Sequence, residues 1–280
     1  MTREEYDEID AVNWSTAKQI ARSNSHYAHA LARTAAEDTD AMAFGRALHI
    51  AILEPDLYAS GVAVWGEGVR RGKKWDAFEP AALSAGQDMI TRAQDVRIAT
   101  ICHRVRSDPS MLSLIERGRA EVTVLWRDGE TGLDCKGRLD FVPDDPAGAA
   151  VDLKTCRDAS PDAFGRCALR YGYHAQAAFY VDGLARSTGL APRPYLILAL
   201  ESTPPYVAQV YRVHDEALEL GRDEYRRCLA KIVEYRADAR ATGRGYADGP
   251  MDLQLPKWAW GPDDDIEALG LDLGTGETNE

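Results

Sequence analysis

Near position 119 the hydrophobic pattern of this chain changes from a helical period to a two-residue alternation, and that change limits the fold more than any other feature. Upstream the pattern is helical. Ser15 is placed to cap a first helix over 17–33. Thr39 or Asp40 starts a second through MAFGRALHIAIL, which Pro55 ends after Glu54. Residues 56–80 read as irregular, and a long helix is expected over about 84–107. Downstream, 119–127 and 133–142 read as strands around the turn DGETG at 128–132, and 149–155 is a third strand after a turn at 143–148. Helices are expected over 161–169 and 173–188, strands over 193–200 and 207–213 on either side of Pro204-Pro205, and an amphipathic helix over 214–241. This order predicts an α/β (α+β) domain, a mixed central β-sheet flanked by helices with an N-terminal helical region.

No internal repeat or Gly/Ser-rich linker interrupts the chain, so a single domain is expected over 1–260, its helical part at about 12–118 and its sheet core at about 119–241. With 280 residues, 45% of them hydrophobic and 28% charged, there is material for a packed core, which excludes a mostly disordered or fibrous protein. The apolar runs fall short of the roughly 18–20 residues that cross a bilayer. The acidic opening MTREEYDEID lacks the apolar stretch of a secretory signal, so a cytoplasmic protein with no membrane partner is expected. Of the net charge of −12, residues 261–280 hold seven acids and no Lys or Arg, and read as a disordered acidic tail. An acidic chain argues against a non-specific nucleic-acid coat but leaves room for an enzyme with a local basic channel. Cys102, Cys135, Cys156, Cys167 and Cys228 form no C-x-x-C pair, which argues against zinc-ribbon and simple iron–sulfur patterns.

The densest chemistry lies in GRLDF, followed after nine residues by VDLKT. Asp140 falls near the end of one strand. Asp152 and Lys154 share a face of the next, with Val151 and Leu153 on the other face. A hairpin-like connection brings Asp140 beside them. Two carboxylates with open positions bind Mg²⁺ or Mn²⁺ through oxygen. Such a metal activates water and stabilises charge on a phosphoryl oxygen, while a nearby lysine orients the water or offsets that charge. D-x-K alone reads as a surface ion pair, so the argument rests on its company. Gly45 and His49 share a helical face at i and i+4, where glycine permits close approach, and so do Gln176 and Tyr180. Alone, His49 would read as a core histidine and the Gln176/Tyr180 pair as packing.

Together these residues resemble the PD-(D/E)xK nuclease superfamily. G-x-x-x-H at Gly45–His49, the Asp of GRLDF at Asp140, D-x-K at Asp152–Lys154 and Q-x-x-x-Y at Gln176–Tyr180 stand in the order found in its RecB-like and RecE-like exonuclease branch. The segment NWSTAKQIARSNSHYAHA is similar to the opening segment of RecE-like (exodeoxyribonuclease VIII-type) exonucleases of phages and prophages, and RGKKW falls where these have a basic loop. The resemblance covers roughly residues 12–235. It implies a restriction-endonuclease-like core. It also implies that Asp140, Asp152, the backbone carbonyl of Leu153 and His49 hold Mg²⁺, with Mn²⁺ an alternative. Two ions about 3.5–4 Å apart are the usual arrangement. By the same resemblance Lys154 is the catalytic lysine, Gln176 and Tyr180 position it and the substrate phosphate, and Glu121 is an additional acid for a second ion. Some RecB-like nucleases carry an iron–sulfur cluster; the C-terminal stretch here has only Cys228, so no cluster is expected. No G-x-x-x-x-G-K-[ST] sequence is present, so no nucleotide site is expected either.

Arg70, Arg71, Lys73 and Lys74 either grip a phosphate backbone, with Trp65 or Trp75 stacking on a base, or form an exposed loop. Arg138, on the strand of Asp140, and Arg46, beside Gly45, are further candidate phosphate contacts. The resemblance implies a Mg²⁺-dependent exonuclease that degrades linear double-stranded DNA from 5′ to 3′ and leaves 3′ single-stranded tails for recombination. Its partners would be DNA ends, further copies of itself in a ring-like trimer or tetramer, and a single-strand annealing recombinase in a bacterial host cytoplasm. The alternatives are a structure- or site-specific endonuclease of the same fold and a catalytically idle DNA-end-binding protein.

Overall fold

The computed structural model describes residues 1, 3–32, 39–66, 68–191, 193–238, 246 and 250–255; the acidic segment at 261–280 lies outside them. In chain order these residues form α1 (Arg3–Glu8), α2 (Trp14–Ala17), a 3₁₀ turn (Lys18–Ala21), α3 (Asn24–Ala32), α4 (Asp40–Leu53), a second 3₁₀ turn (Pro55–Leu57), α5 (Tyr58–Gly61) and β1 (Val62–Trp65). Then come α6 (Lys73–Ser84), β2 (Asp88–Thr91), α7 (Arg92–Ser107), α8 (Pro109–Leu112), β3 (Gly118–Arg127), β4 (Asp134–Pro143) and β5 (Ala150–Cys156). The chain continues through α9 (Pro161–Tyr171), α10 (Tyr173–Thr188), β6 (Tyr195–Glu201), β7 (Ala208–Arg212) and α11 (Asp215–Ala237). No helix among the described residues is long and apolar enough to cross a membrane.

The central sheet runs β3-β4-β5-β6-β7. Only β5 and β6 are parallel, joined by a crossover through α9 and α10; the other neighbours are antiparallel. The sheet is therefore mixed and flanked by helices, as the element order predicts. Along β6, Tyr195, Ile197 and Ala199 face a core shared with α10 and α11, while Leu196, Leu198 and Leu200 face a second core built with α4 and α7. Burial on both faces explains why this strand reads as an unbroken apolar run.

The N-terminal region departs from expectation in two places. The first expected helix is broken in three. Asn13, not Ser15, caps it, its Oδ1 accepting from the Thr16 amide at 2.9 Å. The buried Ser23 then accepts from the His26 amide through Oγ at 3.2 Å and starts a new helix. Residues 56–80 are not irregular: β1 pairs in parallel with β2 as a separate two-stranded sheet. The long helix therefore begins later, at a Thr91/Gln94 capping box. The second helix runs as expected, from an N-cap at Thr39 to Glu54 before Pro55.

Two irregularities in the sheet create the site. β3 and β4 pair at Ala120↔Phe141 and Val122↔Leu139, but the pairing skips Glu121 and Asp140. Glu121 there adopts φ 50°, left-handed backbone that few non-glycine residues enter. The pleat reverses at that point. Val122, Val124 and Trp126 face the α10/α11 core, whereas Ala120 packs on the α4/α7 core. The second irregularity is a fork. β4 and β5 pair only at Phe141↔Val151 and then splay apart. Further along the same edge of β4, Val12 takes the vacated position, its N–H donating to the Asp134 carbonyl and its carbonyl accepting from the Lys136 N–H, each at 2.8 Å. Between Lys136 and Phe141 that edge is open, and Asp140 stands in the opening.

Candidate active site

Splaying β5 away from β4 frees its backbone amides, and Asp140 takes one of them: its Oδ2 accepts from the Leu153 N–H at 2.7 Å. The carboxylate thus replaces the missing strand partner, which fixes its position in the fork. From α4, His49 Nε2 donates to the Leu153 carbonyl at 3.1 Å, and Nδ1 faces Asp140 Oδ2 at 3.6 Å. The Leu153 carbonyl, expected as a metal ligand, here orients the imidazole and leaves Nδ1 turned toward Asp140 and open to a metal. From β3, the reversed pleat turns Glu121 to the same point. His49, Glu121 and Asp140 place one ligand atom each within 4.8 Å of one another.

On the other side of β5, Asp152 is 1% exposed and Lys154 Nζ lies 2.5 Å from its Oδ2. Beneath the lysine, Tyr173 at the start of α10 presents its ring 5.1 Å from Nζ. Tyr180 is hydrogen-bonded to Gln176 and lies within electrostatic reach of Lys154, Asp152 and Asp140. Gly137 explains how α10 comes so close: a Cβ there would stand 3.1 Å from the Tyr180 ring. Gly45, by contrast, has nothing within 4 Å of its Cβ position, so the close approach expected there is not made within this chain.

The electrostatics follow from this crowding. Burial raises the Asp140 carboxyl to about 6; His49 and Lys154 oppose the rise, and the Asp152 and Glu121 carboxylates add to it. For Lys154, burial works to lower the pKa, but Asp152 and Asp140 outweigh it and hold the ammonium charged. Burial pushes Tyr180 up to about 12, so it remains a neutral hydroxyl. The donor set of one imidazole nitrogen and several carboxylate oxygens suits a divalent Mg²⁺- or Mn²⁺-type ion. The Asp152 oxygens, deeply buried and without a well-directed hydrogen bond, fit the same conclusion.

The expected DNA contacts fare differently. Arg138 is engaged by Glu121 through Nε at 2.6 Å, and Arg46 by Asp88 at 2.7 Å, so both guanidinium groups answer carboxylates. Arg70 pairs with Asp40 at 2.5 Å and lies over the Trp75 ring. Trp65 and Trp75 are buried against each other and Phe78, so neither is available to stack on a base. Arg71, Lys73 and Lys74 are exposed around the start of α6. Through Arg70–Asp40 this segment is tied to the N-terminus of α4, about 14 Å along the helix from His49. A cleft of about 1110 Å³ between the N-terminal segments and α4 has Arg46 and Lys136 in its wall, but Asp7, Glu8, Asp10 and Asp88 line it too. Tyr173 was not among the expected site residues. Its spacing of three and seven residues before Gln176 and Tyr180 is the signal that would have found it.

Residues 13–247 match a family described as a PDDEXK-like domain of unknown function, DUF3799. No curated protein matches the sequence. Among solved structures, a protein from Eubacterium rectale, provisionally described as an exonuclease, aligns with a TM-score of 0.62 at 16% identity, over 90% of this chain and 96% of that chain. A second, SSO0001, aligns with a TM-score of 0.28 at 12% identity, over 75% of this chain and 84% of that one.

Proposed function

The chain belongs to the PDDEXK-like domain family DUF3799, and from that premise we propose that its nuclease-type domain is a Mg²⁺-dependent exodeoxyribonuclease acting on linear duplex DNA. One observation carries the reading. His49, Glu121 and Asp140, from three separate elements, converge within 4.8 Å in the β4/β5 fork, next to the Asp152–Lys154 pair. His49, Glu121, Asp140 and Asp152 would hold the ion. When bound, it supplies a lowered pKa for a coordinated water and polarises a phosphoryl oxygen.

The chain's own groups do the rest. Lys154, kept cationic by Asp152 and Asp140 and confined over Tyr173, offers positive charge to the phosphoryl oxygens as negative charge builds there. Gln176 orients the Tyr180 hydroxyl, which stays protonated and can donate to a phosphate oxygen. The Leu153 carbonyl fixes His49 in one orientation, and the Leu153 amide fixes Asp140. Direction of degradation, from 5′ to 3′ to leave 3′ tails for an annealing recombinase, belongs to the same proposal, as does assembly of several copies into a ring. It is supported by the RecE-like motif order.

The test compares linear and covalently closed duplex DNA in Mg²⁺, with EDTA and Asp152→Ala as controls. Degradation of the linear form only, absent in both controls and releasing a 5′ label first, is expected. Cutting of closed circles would replace the exonuclease with an endonuclease. Binding without cleavage of either substrate would replace it with a DNA-end-binding protein. A monomer in analytical ultracentrifugation would remove the ring.

A further inference from the structure

Beside Tyr173 lies a group of side chains, Tyr171, Lys18 and Arg170, that the proposed hydrolysis does not use. The α9–α10 junction turns at Gly172, in left-handed backbone at φ 70°, and folds Tyr171 back beside Tyr173. The two rings lie nearly parallel, 20° apart with centroids at 5.8 Å. Tyr173 is half-buried, with Lys154 Nζ over it, whereas Tyr171 is 49% exposed. Around Tyr171 gather two more cations. The Arg170 guanidinium lies 5.8 Å from its ring, and Lys18 Nζ donates to its backbone carbonyl at 3.2 Å. Burial and then the charge of Lys154 lower the Lys18 pKa, while the Glu224 carboxylate opposes the shift. An exposed aromatic ring bracketed by cations, one ring from the lysine that would face the scissile phosphate, has the chemistry of a single-strand binding platform.

We propose that Tyr171, backed by Tyr173 and flanked by Lys18 and Arg170, stacks on an unpaired nucleobase next to the scissile phosphate, with Lys18 taking the adjoining phosphate. The proposal rests on the nuclease reading and deepens it. A base inside a duplex has both faces covered by its neighbours, so only a frayed end or a single strand can offer one to Tyr171. Arg170 is exposed over the ring, so it can give way to the base while remaining near its phosphate.

The test uses the full chain in Ca²⁺ with a DNA hairpin whose terminal unpaired nucleotide is 2-aminopurine. Wild type is expected to quench the fluorescent base on binding. Tyr171→Ala should abolish the quenching and weaken binding by about 5- to 150-fold, the range for one stacked base. Tyr171→Phe should retain both, because stacking needs the ring and not the hydroxyl. Lys18→Gln should lower the slope of log affinity against log salt by about one phosphate's worth. Equal quenching and affinity in Tyr171→Ala, loss in Tyr171→Phe as severe as in Tyr171→Ala, or no binding by wild type would each overturn the platform. A parallel Mg²⁺ cleavage assay of wild type separates the two ideas. Stacking without cleavage removes the nuclease and leaves the platform, whereas cleavage with quenching indifferent to Tyr171 removes the platform alone.

Discussion

Asp140 meets two demands that oppose each other. Its Oδ2 must accept the Leu153 amide that the fork leaves over, and its charge must survive among Asp152, Glu121 and an apolar surround. Burial, with the neighbouring carboxylates, raises its pKa from 3.8 to about 6 against the pull of His49 and Lys154. The folded state therefore holds this proton more tightly than the unfolded chain. That favours folding below the ordinary carboxylate value, and the advantage is lost as pH rises through about 6. Asp140→Asn keeps the acceptor for Leu153 without the charge. In EDTA it should melt at a higher temperature than wild type at pH about 8, with the gap closing as pH falls to about 5. A gap independent of pH would mean that Asp140 is not the group that titrates. Glu121 holds its place at φ 50°, a conformation that costs of order 1–3 kcal/mol and persists where surrounding structure enforces it. Glu121→Gln should raise the Mn²⁺ concentration at half-maximal thermal stabilisation; an unchanged midpoint would leave the residue only its ion pair with Arg138.

At the scale of elements, the site depends on how closely α10 lies against its neighbours. Gly137 lets Tyr180 rest on β4, and Gly221 lets α11 cross α10 so closely that a Cβ would stand 2.5 Å from the His174 carbonyl oxygen. Asp182 secures the same helix pair, accepting from Arg222 and from the buried Tyr225 hydroxyl at 2.7 Å. The two glycines make a paired prediction. On propensity alone, alanine at Gly221 would favour α11 by about 1 kcal/mol. The backbone clash should reverse that sign, so Gly221→Ala should lower the midpoint of urea unfolding. Gly137→Ala meets a ring and a Val124 methyl, which can shift, at a cost of about 1–3 kcal/mol. It should also displace Tyr180, reducing cleavage while leaving metal affinity intact. A Gly221→Ala protein as stable as wild type would show that α10 and α11 do not meet this closely.

For the molecule as a whole, the proposed function requires bringing a polyanion to a chain with a net charge of −12. Several of its cations are already matched by carboxylates, Arg46 by Asp88, Arg70 by Asp40, Arg138 by Glu121 and Arg222 by Asp182. On the proposed function, the exposed Arg71 and Lys73 around the start of α6, with Lys74 beside them, form the outer contact for a duplex, and Lys18, near the Asp152-paired Lys154, forms the inner one. Neutralising Arg71, Lys73 and Lys74 together should weaken DNA binding regardless of sequence. It should also reduce the slope of log affinity against log salt by about 0.9 for each phosphate that the protein no longer neutralises. Fluorescence anisotropy across a salt series measures both, and an unchanged slope would remove the segment from the DNA path.

Much of this was legible in the sequence, because it depends on neighbours in the chain. The alternating strands that carry Asp140, Asp152 and Lys154, the helix from Thr39 to Glu54, and the i, i+4 pairs Gly45/His49 and Gln176/Tyr180 are all local patterns. A period of 2 or 3.6 is set by backbone geometry within a few residues. What the sequence left undetermined depends on distant partners. The four-residue strands β1 and β2 are too short to show a period and owe their form to pairing with each other. A stacking role for Trp65 or Trp75 was open in the sequence, and packing with Phe78 closes it. Arg46 and Arg138 read as phosphate contacts until the fold supplied Asp88 and Glu121. Above all, the aim of Glu121 is decided by a pleat reversal between β3 and β4, and the opening that receives it by where β5 leaves β4. Local backbone preference determined which elements this chain forms. Which charges meet in the fork was left to contacts between segments far apart in sequence, since a side chain's partner is chosen by packing and not by its neighbours along the chain.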